Sequence, residues 1–423
     1  MHTVGIIAEY NPFHNGHRYQ IEQIRKQTSA QNIVIVMSGD YVQRGTPAWT
    51  DKYLRTQMAL SCGADMIFEL PVCFSCASAE HFALAGVSIL TLLGFVDGIC
   101  FGCESGDITL LQKIASFLAK PPKDFEQKIA SLTTQGYSYP AARQMALQSF
   151  FPEECNKDHT LLSSPNNILA IEYLKALTLL DSPLTPIAIR RNDNGYHANK
   201  LTGFYSSASS IRKECHVKPQ NFLSAIQGTV PFSVHNLLLE NADRYPVTED
   251  DFSTLLYYRL CQLSQKDLAI SDMTEEIFNR IQNQLTQYTT FSDFILHIKT
   301  KQYTYSRISR VLLHCLLNME QTDISKDRPS ALYARLLGFS KEKSSLLRQK
   351  SGIPIITKPA DGVTQIQSFY HDNPALSQYA VKMYKQDLFA SDLYRQIQIA
   401  KHHCDRPLEY HCHPIVQDAH KPH

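Results

Sequence analysis

Short apolar runs that alternate with helical segments dominate the N-terminal part of the chain, and this alternation limits the fold more than any other feature. The runs lie at residues 4–9, 32–37, 66–70, 96–101 and 186–191. Runs that stay apolar through most of their length are typical of strands buried on both faces. Because such strands alternating with helices form βαβ units, the sequence predicts an α/β, Rossmann-like domain with a parallel sheet.

The ends of the predicted strands indicate where a ligand would bind. In open α/β sheets, ligands bind beyond the carboxyl ends of the strands. The polar segments at those ends are residues 9–16, 38–44 and 102–104. We therefore expect these three segments to form one site.

The first of these segments contains the sequence His14-Asn15-Gly16-His17, placed between the first strand and the first helix. The start of a helix leaves N–H groups unpaired and carries about half a positive charge, which favours phosphate. Gly16 allows close backbone approach, and the two histidines can donate hydrogen bonds to phosphate oxygens as pyrophosphate departs. The position predicts a phosphate-binding site, although a turn with two solvent-facing histidines has the same short pattern.

A serine-rich segment late in the predicted domain, residues 206–212, has the sequence SSASSIR. Hydroxyls such as those of Ser207 and Ser209, with the amides of a helix start, suit the terminal phosphates of ATP. Arg212 would add a forked, charged donor. Taken alone, the segment fits an ordinary helix cap equally well.

The predicted secondary structure changes near residue 217. Beyond this point helical patterns prevail and strand patterns are sparse. We expect an ATP-binding domain over 1–217, a mainly α-helical domain over 218–401, and a His/Cys-rich tail over 402–423 that is poorly ordered. The 423 residues have a formal net charge of +1, so a nucleic-acid partner would need a local basic patch.

The segment 299–310 combines basic and aromatic side chains and contains no acidic residue. Lysine and arginine neutralise phosphates, and tyrosines can stack on unpaired bases. The side chains predicted to bind RNA are Lys299, Lys301, Tyr303, Tyr305, Arg307 and Arg310. A solvated helix face is the alternative, and residues 341–350 form a second basic group.

Several blocks together resemble the tRNA(Met) cytidine acetate ligase family of the HxGH nucleotidyltransferase superfamily. In the first half they are VGIIAEYNPFHNGH (4–17), MSGDYVQRGTPA (37–48), FELP (68–71), FGCE (101–104) and PNNILAIEYLKAL (165–177). In the second half they are KQYTYSRISR (301–310) and ARLLGF (334–339). The blocks occur in the order of the family and extend over most of the chain, which makes them far more specific than the histidine motif alone.

The resemblance implies that acetate is activated with ATP as acetyl-adenylate and transferred to N4 of the wobble cytidine of elongator tRNA(Met). It assigns the ATP loop to Ile7, Ala8, Glu9, Tyr10, Asn11, Pro12, Phe13, His14, Asn15, Gly16, His17, Arg18, Tyr19 and Gln20. Further nucleotide contacts are expected from Gly102, Asn166 or Asn167, Arg190 or Arg191, Ser207 and Ser209. Catalytic roles are expected for His14, His17, Asp40, Arg44 and Arg212. Mg²⁺ is expected on the ATP phosphates rather than in a protein cage.

Two other functions use the same features. A small-molecule adenylyltransferase shares the loop chemistry but is usually shorter, and a non-enzymatic RNA-binding protein would not need His14, His17 and Arg212 intact.

Two Cys-x-x-Cys pairs, Cys73 with Cys76 and Cys100 with Cys103, invite a zinc interpretation. Buried thiols are the favoured interpretation, and we predict no protein-held metal.

No signal peptide and no membrane-spanning run is predicted, and the eleven cysteines suit reduced thiols of a cytoplasmic protein. The expected partners are therefore acetate and tRNA, with no membrane. Nothing in the sequence indicates an oligomeric state.

Overall fold

A computed structural model describes residues 1–157, 161–190, 201, 203–217, 219–321 and 331–418. The strands in these ranges are β1 (Thr3–Ala8), β2 (Asn32–Ser38), β3 (Tyr41–Val42), β4 (Thr46–Pro47), β5 (Met66–Leu70), β6 (Gly98–Cys103), β7 (Thr185–Arg190), β8 (Ala334–Ser340), β9 (Ile355–Ile356) and β10 (Ile415–Gln417). Those predicted from apolar runs lie within two residues of the observed strands.

The helices of the first half are α1 (Asn15–Thr28), α2 (Lys52–Ser61), α3 (Val72–Ser75), α4 (Ala79–Leu92), α5 (Ile108–Ala119), α6 (Lys123–Thr134), α7 (Tyr139–Phe150), α8 (Pro152–Lys157), α9 (Pro165–Leu179) and α10 (Ala208–Val217). Those of the second half are α11 (Phe222–Ile226), α12 (Phe232–Glu240), α13 (Ser253–Cys261), α14 (Glu275–Gln284), α15 (Phe291–Ile298), α16 (Tyr305–Leu317), α17 (Gly362–Phe369) and α18 (Pro374–His402). Short 3₁₀ turns link several of them, including Lys341–Arg348 and Glu409–His411.

The main sheet of the described chain has eight strands, in the order β10-β8-β5-β2-β1-β6-β7, with β9 beside β8. All neighbours are parallel except β5 and β8. Ala8 lies opposite Met37, and Ile6 lies opposite Cys100, so the carboxyl ends of β1, β2 and β6 meet at one edge. The structure confirms the predicted α/β fold with a mostly parallel sheet, and it gathers the three predicted strand-end segments.

Apolar side chains fill both faces of the sheet, as expected for near-continuous hydrophobic strands. One face packs on α1, α2 and the helices that follow α10, and the other packs on α4, α9 and part of α18. A third core joins α13–α16 to α18 and is built almost wholly from the second half of the chain. The second half is therefore mainly helical in its own core.

Two features of the second half differ from expectation. Strands β8 and β10 complete the sheet of the first half, so the proposed division at residue 217 does not divide the sheet between domains. The tail was expected to be poorly ordered, but parts of it are held against the fold: β10 pairs with β8, and the buried Glu409 carboxylate forms ion pairs with Lys52 and Arg335. Residues 419–423 lie outside the described residues. None of the helices in the described ranges has the length and hydropathy needed to cross a membrane.

Candidate active site

The two motif histidines close the first turn of α1. His14 is the N-cap residue, and its Nδ1 accepts a hydrogen bond from the Gly16 N–H at 3.1 Å. Nδ1 of His17 accepts from the His14 N–H at 3.2 Å, and the two rings stack with centroids 3.7 Å apart. Because Nδ1 is the acceptor in both rings, a neutral ring carries its hydrogen on Nε2. The two histidines thus form a capping box at the start of α1.

The same loop is fixed by contacts outside α1. The Asn11 side chain accepts from the Trp49 N–H at 2.7 Å. The buried Asn15 amide donates to the carbonyls of Phe204 and Gly228, at 3.0 and 2.7 Å. Tyr10, which has a left-handed φ of 49°, is buried and packs its ring on that of His17 with centroids 4.7 Å apart. A loop held from several sides is pre-organised for a ligand.

Arg55 holds the strand ends beneath this loop, a role that the sequence interpretation missed. Its guanidinium is fully buried and donates to the carbonyls of Glu9 and Thr50, at 2.7 and 3.0 Å, and of Ser38 and Gly39. These carbonyls follow β1 and β2 and precede α2. Arg55 therefore ties together the backbone at the carboxyl ends of the two central strands.

Asp40 and Arg44 were expected to face acetate and the α-phosphate. The Asp40 carboxylate is buried, and it accepts from the Lys52 N–H at 2.8 Å. Burial raises the pKa of Asp40 to about 6, although the Lys52 ammonium, 3.9 Å away, acts in the opposite direction. Arg44 is exposed on the loop between β3 and β4. These surroundings favour a structural role for Asp40, while the catalytic role of each residue stays a prediction.

A buried ionic cluster lies next to Asp40 and unites blocks that are distant in sequence. Lys52 Nζ lies 2.7 Å from Glu69 Oε1 and 2.6 Å from Glu409 Oε1. Arg335 pairs with the same two acids, at 3.2 and 2.5 Å. Burial opposes ionisation of Glu409, yet Arg335 and Lys52 together lower its pKa to about 2. Glu69 and Arg335 come from the FELP and ARLLGF blocks, to which the sequence interpretation gave no role.

The asparagine pair at the start of α9 holds the segment that follows β6. Glu104 accepts from the Asn166 side chain at 2.6 Å and from the Asn167 N–H at 2.9 Å. In return, the buried Asn167 side chain accepts from the N–H groups of Glu104 and Ser105, at 2.9 and 3.2 Å. These amides therefore support the backbone beside Gly102, and direct contacts of Gly102, Asn166 and Asn167 with a nucleotide stay predictions.

The remaining predicted nucleotide contacts follow β7. Arg190 ends that strand and is exposed, whereas Arg191 lies outside the described residues. The Ser207 hydroxyl accepts from the Ser210 N–H at 3.2 Å and lies 3.0 Å from the Ser209 hydroxyl, so the serine segment caps α10.

Arg212 of α10 donates to the Asn11 carbonyl. The late motif therefore reaches the histidine loop, although the two are about two hundred residues apart in sequence.

The predicted RNA-binding stretch contains both exposed side chains and side chains that contact other parts of the protein. Lys299, Lys301 and Tyr305 are exposed. Tyr303 is buried, and its hydroxyl donates to Glu276 at 2.7 Å. The expectation that Tyr303 stacks on RNA bases is therefore not supported, because its ring faces the core.

The two arginines of this stretch have partners within the protein. The Arg307 guanidinium lies over the Tyr303 ring at 5.2 Å from its centroid. Arg310 pairs with Asp272 at 2.9 Å. Ser309 donates to the Gly45 carbonyl at 2.8 Å, which places α16 directly against the loop that carries Arg44.

The Cys-x-x-Cys pairs do not form a zinc site in the part of the chain that the structure describes. Three positions separate Cys100 from Cys103 on β6, so their side chains enter opposite cores. Cys100 accepts from the Gln20 amide at 3.8 Å. No group of three or more His, Cys, Asp and Glu side chains within the described residues could hold a metal ion.

Comparisons with known proteins extend over nearly the whole chain. The family model described as HIGH Nucleotidyl Transferase matches residues 1–407. A tRNA(Met) cytidine acetate ligase of Acetivibrio thermocellus is 37% identical over 407 residues, which covers 93% of this chain and 94% of that protein. Another, of Caldanaerobacter subterraneus subsp. tengcongensis, is 39% identical over 401 residues and covers 93% and 95%.

Solved structures of one protein are similar to this chain in fold. The crystal structure of Thermotoga maritima TmcAL bound with alpha-thio ATP gives a TM-score of 0.88 at 28% identity, and it covers 99% of this chain and 100% of that chain. The apo form of the same protein gives a TM-score of 0.89 at 27% identity, with the same coverage.

Proposed function

Because these matches span most of its length, the chain belongs to the tRNA(Met) cytidine acetate ligase family of HIGH nucleotidyltransferases, and we propose that it acetylates N4 of the wobble cytidine of elongator tRNA(Met). The observation that carries the proposal is the pair of histidines that cap the start of α1 through Nδ1, so that a neutral ring carries its hydrogen on Nε2. A helix start with two such rings suits a polyphosphate. The solved structure of the Thermotoga maritima relative bound with alpha-thio ATP supports ATP as the substrate.

The first half-reaction joins acetate to the α-phosphate of ATP. A carboxylate oxygen of acetate attacks the α-phosphorus, and the bond to the bridging oxygen breaks with departure of pyrophosphate. His14 and His17 would donate to the oxygens on which charge grows, and the α1 amides would add to this stabilisation. Arg212, already bonded to the Asn11 carbonyl, would hold the loop in place and approach the departing phosphates.

Mg²⁺ would bind with ATP and neutralise charge on its phosphates. The ion would be held mostly by phosphate and water oxygens. The protein would then supply hydrogen-bond donors and position, rather than a cage for the ion.

The second half-reaction transfers acetyl from the adenylate to the cytidine N4, with AMP as the leaving group. The N4 lone pair is delocalised into the ring, so this amine needs an activated acyl group. We propose that residues 1–217 catalyse both steps and that residues 218–401, through the exposed part of 299–310, bind tRNA. The contact between Ser309 and Gly45 supports this arrangement because it brings α16 close to the strand-end loops. An enzyme with a tRNA substrate is expected to act in the cytoplasm.

Pyrophosphate exchange into ATP tests the proposal. Exchange should depend on acetate and proceed without tRNA, and acetyl transfer should then require tRNA(Met). Propionate should exchange more weakly, since one extra methylene changes binding by about 1–3 kcal/mol in a small apolar pocket. Exchange driven by a phosphorylated metabolite would indicate an adenylyltransferase of small molecules, and absence of any exchange would indicate a non-enzymatic RNA-binding protein.

A further inference from the structure

The carboxyl ends of the four central strands each carry an acidic side chain, and within the described residues only one of the four has a carboxylate oxygen with no hydrogen bond or ion pair. Asp40 accepts from the Lys52 N–H, and Glu69 pairs with Lys52 and Arg335. Glu104 uses both oxygens to hold the start of α9. The fourth acid is Glu9, which directly follows β1 and lies within the predicted ATP loop.

One hydrogen bond orients the Glu9 carboxylate, but no positively charged side chain of the described residues pairs with it. Its Oε1 accepts from the Gln43 N–H at 2.9 Å, and its own carbonyl accepts from buried Arg55 at 2.7 Å. The side chain is half-buried, and within the described residues it forms no ion pair. A carboxylate at this position would repel the ATP phosphates, so it is better suited to accept a proton from a neutral group.

We propose that Glu9 is the general base that accepts the proton from the cytidine N4 during acetyl transfer. This inference rests on the proposed function and assigns a residue to its second step. The N4 lone pair forms a bond to the acetyl carbonyl carbon, and the bond from that carbon to the AMP phosphate oxygen breaks with its electron pair. One N4 proton passes to the free oxygen of Glu9 and then to solvent, so that the products are the neutral acetamide and AMP.

The position of Glu9 fits this step for two reasons. The α-phosphate would lie at the start of α1, so an acetyl group attached to it falls near the ends of β1 and β2, where Glu9 is held. The Gln43 that orients Glu9 belongs to the loop whose Gly45 contacts α16, and so an RNA bound along α16 would reach the same place. A general base must lie within hydrogen-bond reach of the proton that it removes.

The variant Glu9→Gln tests the assignment, because glutamine keeps an acceptor for the Gln43 N–H and loses the basic oxygen. Enzyme with preformed acetyl-adenylate is mixed with saturating tRNA, and single-turnover transfer is compared with acetate-dependent pyrophosphate exchange. We expect the ratio of transfer to exchange to fall by about 10²–10⁴-fold. Glu9→Asp should recover part of the transfer, and Glu126→Gln, on the exposed face of α6, should match the wild type.

Hydroxylamine serves as a second acyl acceptor, since this stronger nucleophile does not need a base. Its acetylation by Glu9→Gln should keep pace with exchange, which a displaced or misfolded loop would not allow. An unchanged ratio of transfer to exchange would overturn the inference. So would a parallel loss of both reactions that extra Mg²⁺ restores, because that result identifies a metal ligand. A wild type without acetate-dependent exchange would instead overturn the proposed function itself.

Discussion

Two polar regions of this fold, the histidine loop and the buried ionic cluster, are assembled in opposite ways. The two histidines cap their helix through contacts between residues two and three positions apart, at the largely buried start of α1. The ionic cluster of Lys52, Glu69, Arg335 and Glu409 draws on four distant segments and is buried. The comparison teaches that local polar contacts prepare the site for a ligand, whereas distant ones hold the chain around it.

The largest effect is expected from breaking the buried cluster. Lys52→Met removes a cation that contacts Glu69 and Glu409 and leaves both acids to Arg335. Because an uncompensated charge stays buried, we expect a loss of about 3–5 kcal/mol in the free energy of unfolding. Urea denaturation measures this loss.

Lys113→Met is the matched control, since Lys113 pairs with Glu154 while 62% exposed. Surface pairs of this kind contribute about 0–1 kcal/mol. Equal losses for the two variants would show that the buried cluster stabilises no more than a surface pair.

The histidine loop should show the reverse behaviour, with large losses of rate and small losses of stability. His14→Asn keeps a side chain that can cap α1 but removes the Nε2–H donor. Acetate-dependent exchange should fall by about 10²–10³-fold, as when one transition-state donor is lost. His14→Ala should lose the donor and also the cap, at roughly 0.5–2 kcal/mol of stability. Exchange near the wild-type rate in His14→Asn would reduce the histidine to a capping residue.

The same contrast explains what could be predicted from sequence. Strands β1, β2, β5, β6 and β7 were predicted from apolar runs, which reflect burial on both faces in the first four and only partial burial in the edge strand β7. The position of the histidine motif at the start of α1 could be predicted because its signal lies within one helical turn, and the contact of this loop with ATP stays a prediction. Nothing local distinguishes β8 as an antiparallel neighbour of β5, because that pairing joins Met66 to Phe339.

Side-chain partners at the strand ends were the hardest to predict. The resemblance to the family implied a catalytic role for Asp40, whose carboxylate is buried against Lys52. Asn167 was expected to contact the nucleotide, but its oxygen accepts from two amides after β6. Both sets of contacts depend on residues that come together only when the sheet forms.

Asp40 offers a pH test of the buried region. Because burial raises its pKa in the folded state to about 6, the folded protein binds this proton more tightly than the unfolded chain does. Its charged form is thus destabilising above about pH 6, and this effect is relieved as the pH falls toward 4. Relative to Asp40→Asn, the wild type should gain roughly 1–3 kcal/mol between pH 7 and pH 4. Urea denaturation at both pH values measures the difference, and a constant difference would contradict the shifted pKa.

The basic stretch allows a finer comparison between exposed and committed cations. Arg310 pairs with Asp272 and packs beside Gly45, so Arg310→Gln should disturb the loop and both half-reactions. A Cβ at Gly45 would lie 2.4 Å from the Arg310 backbone nitrogen, which shows how closely α16 and the loop approach. The exposed lysines of the same stretch should affect tRNA alone.

The smallest expected effect comes from replacing Lys299 and Lys301 with glutamine. Both are exposed, so the fold and acetate-dependent exchange should be retained, because that reaction needs only ATP and acetate. If each lysine contacts one phosphate, tRNA binding should weaken and its salt dependence should flatten by about 1.4–1.8 in logarithmic slope. Tyr305→Ala should weaken binding with little change in slope, since stacking releases few counterions. Normal acetylation by the double variant at every salt concentration would make this stretch a solvated helix face and would move the search for the RNA surface to residues 341–350.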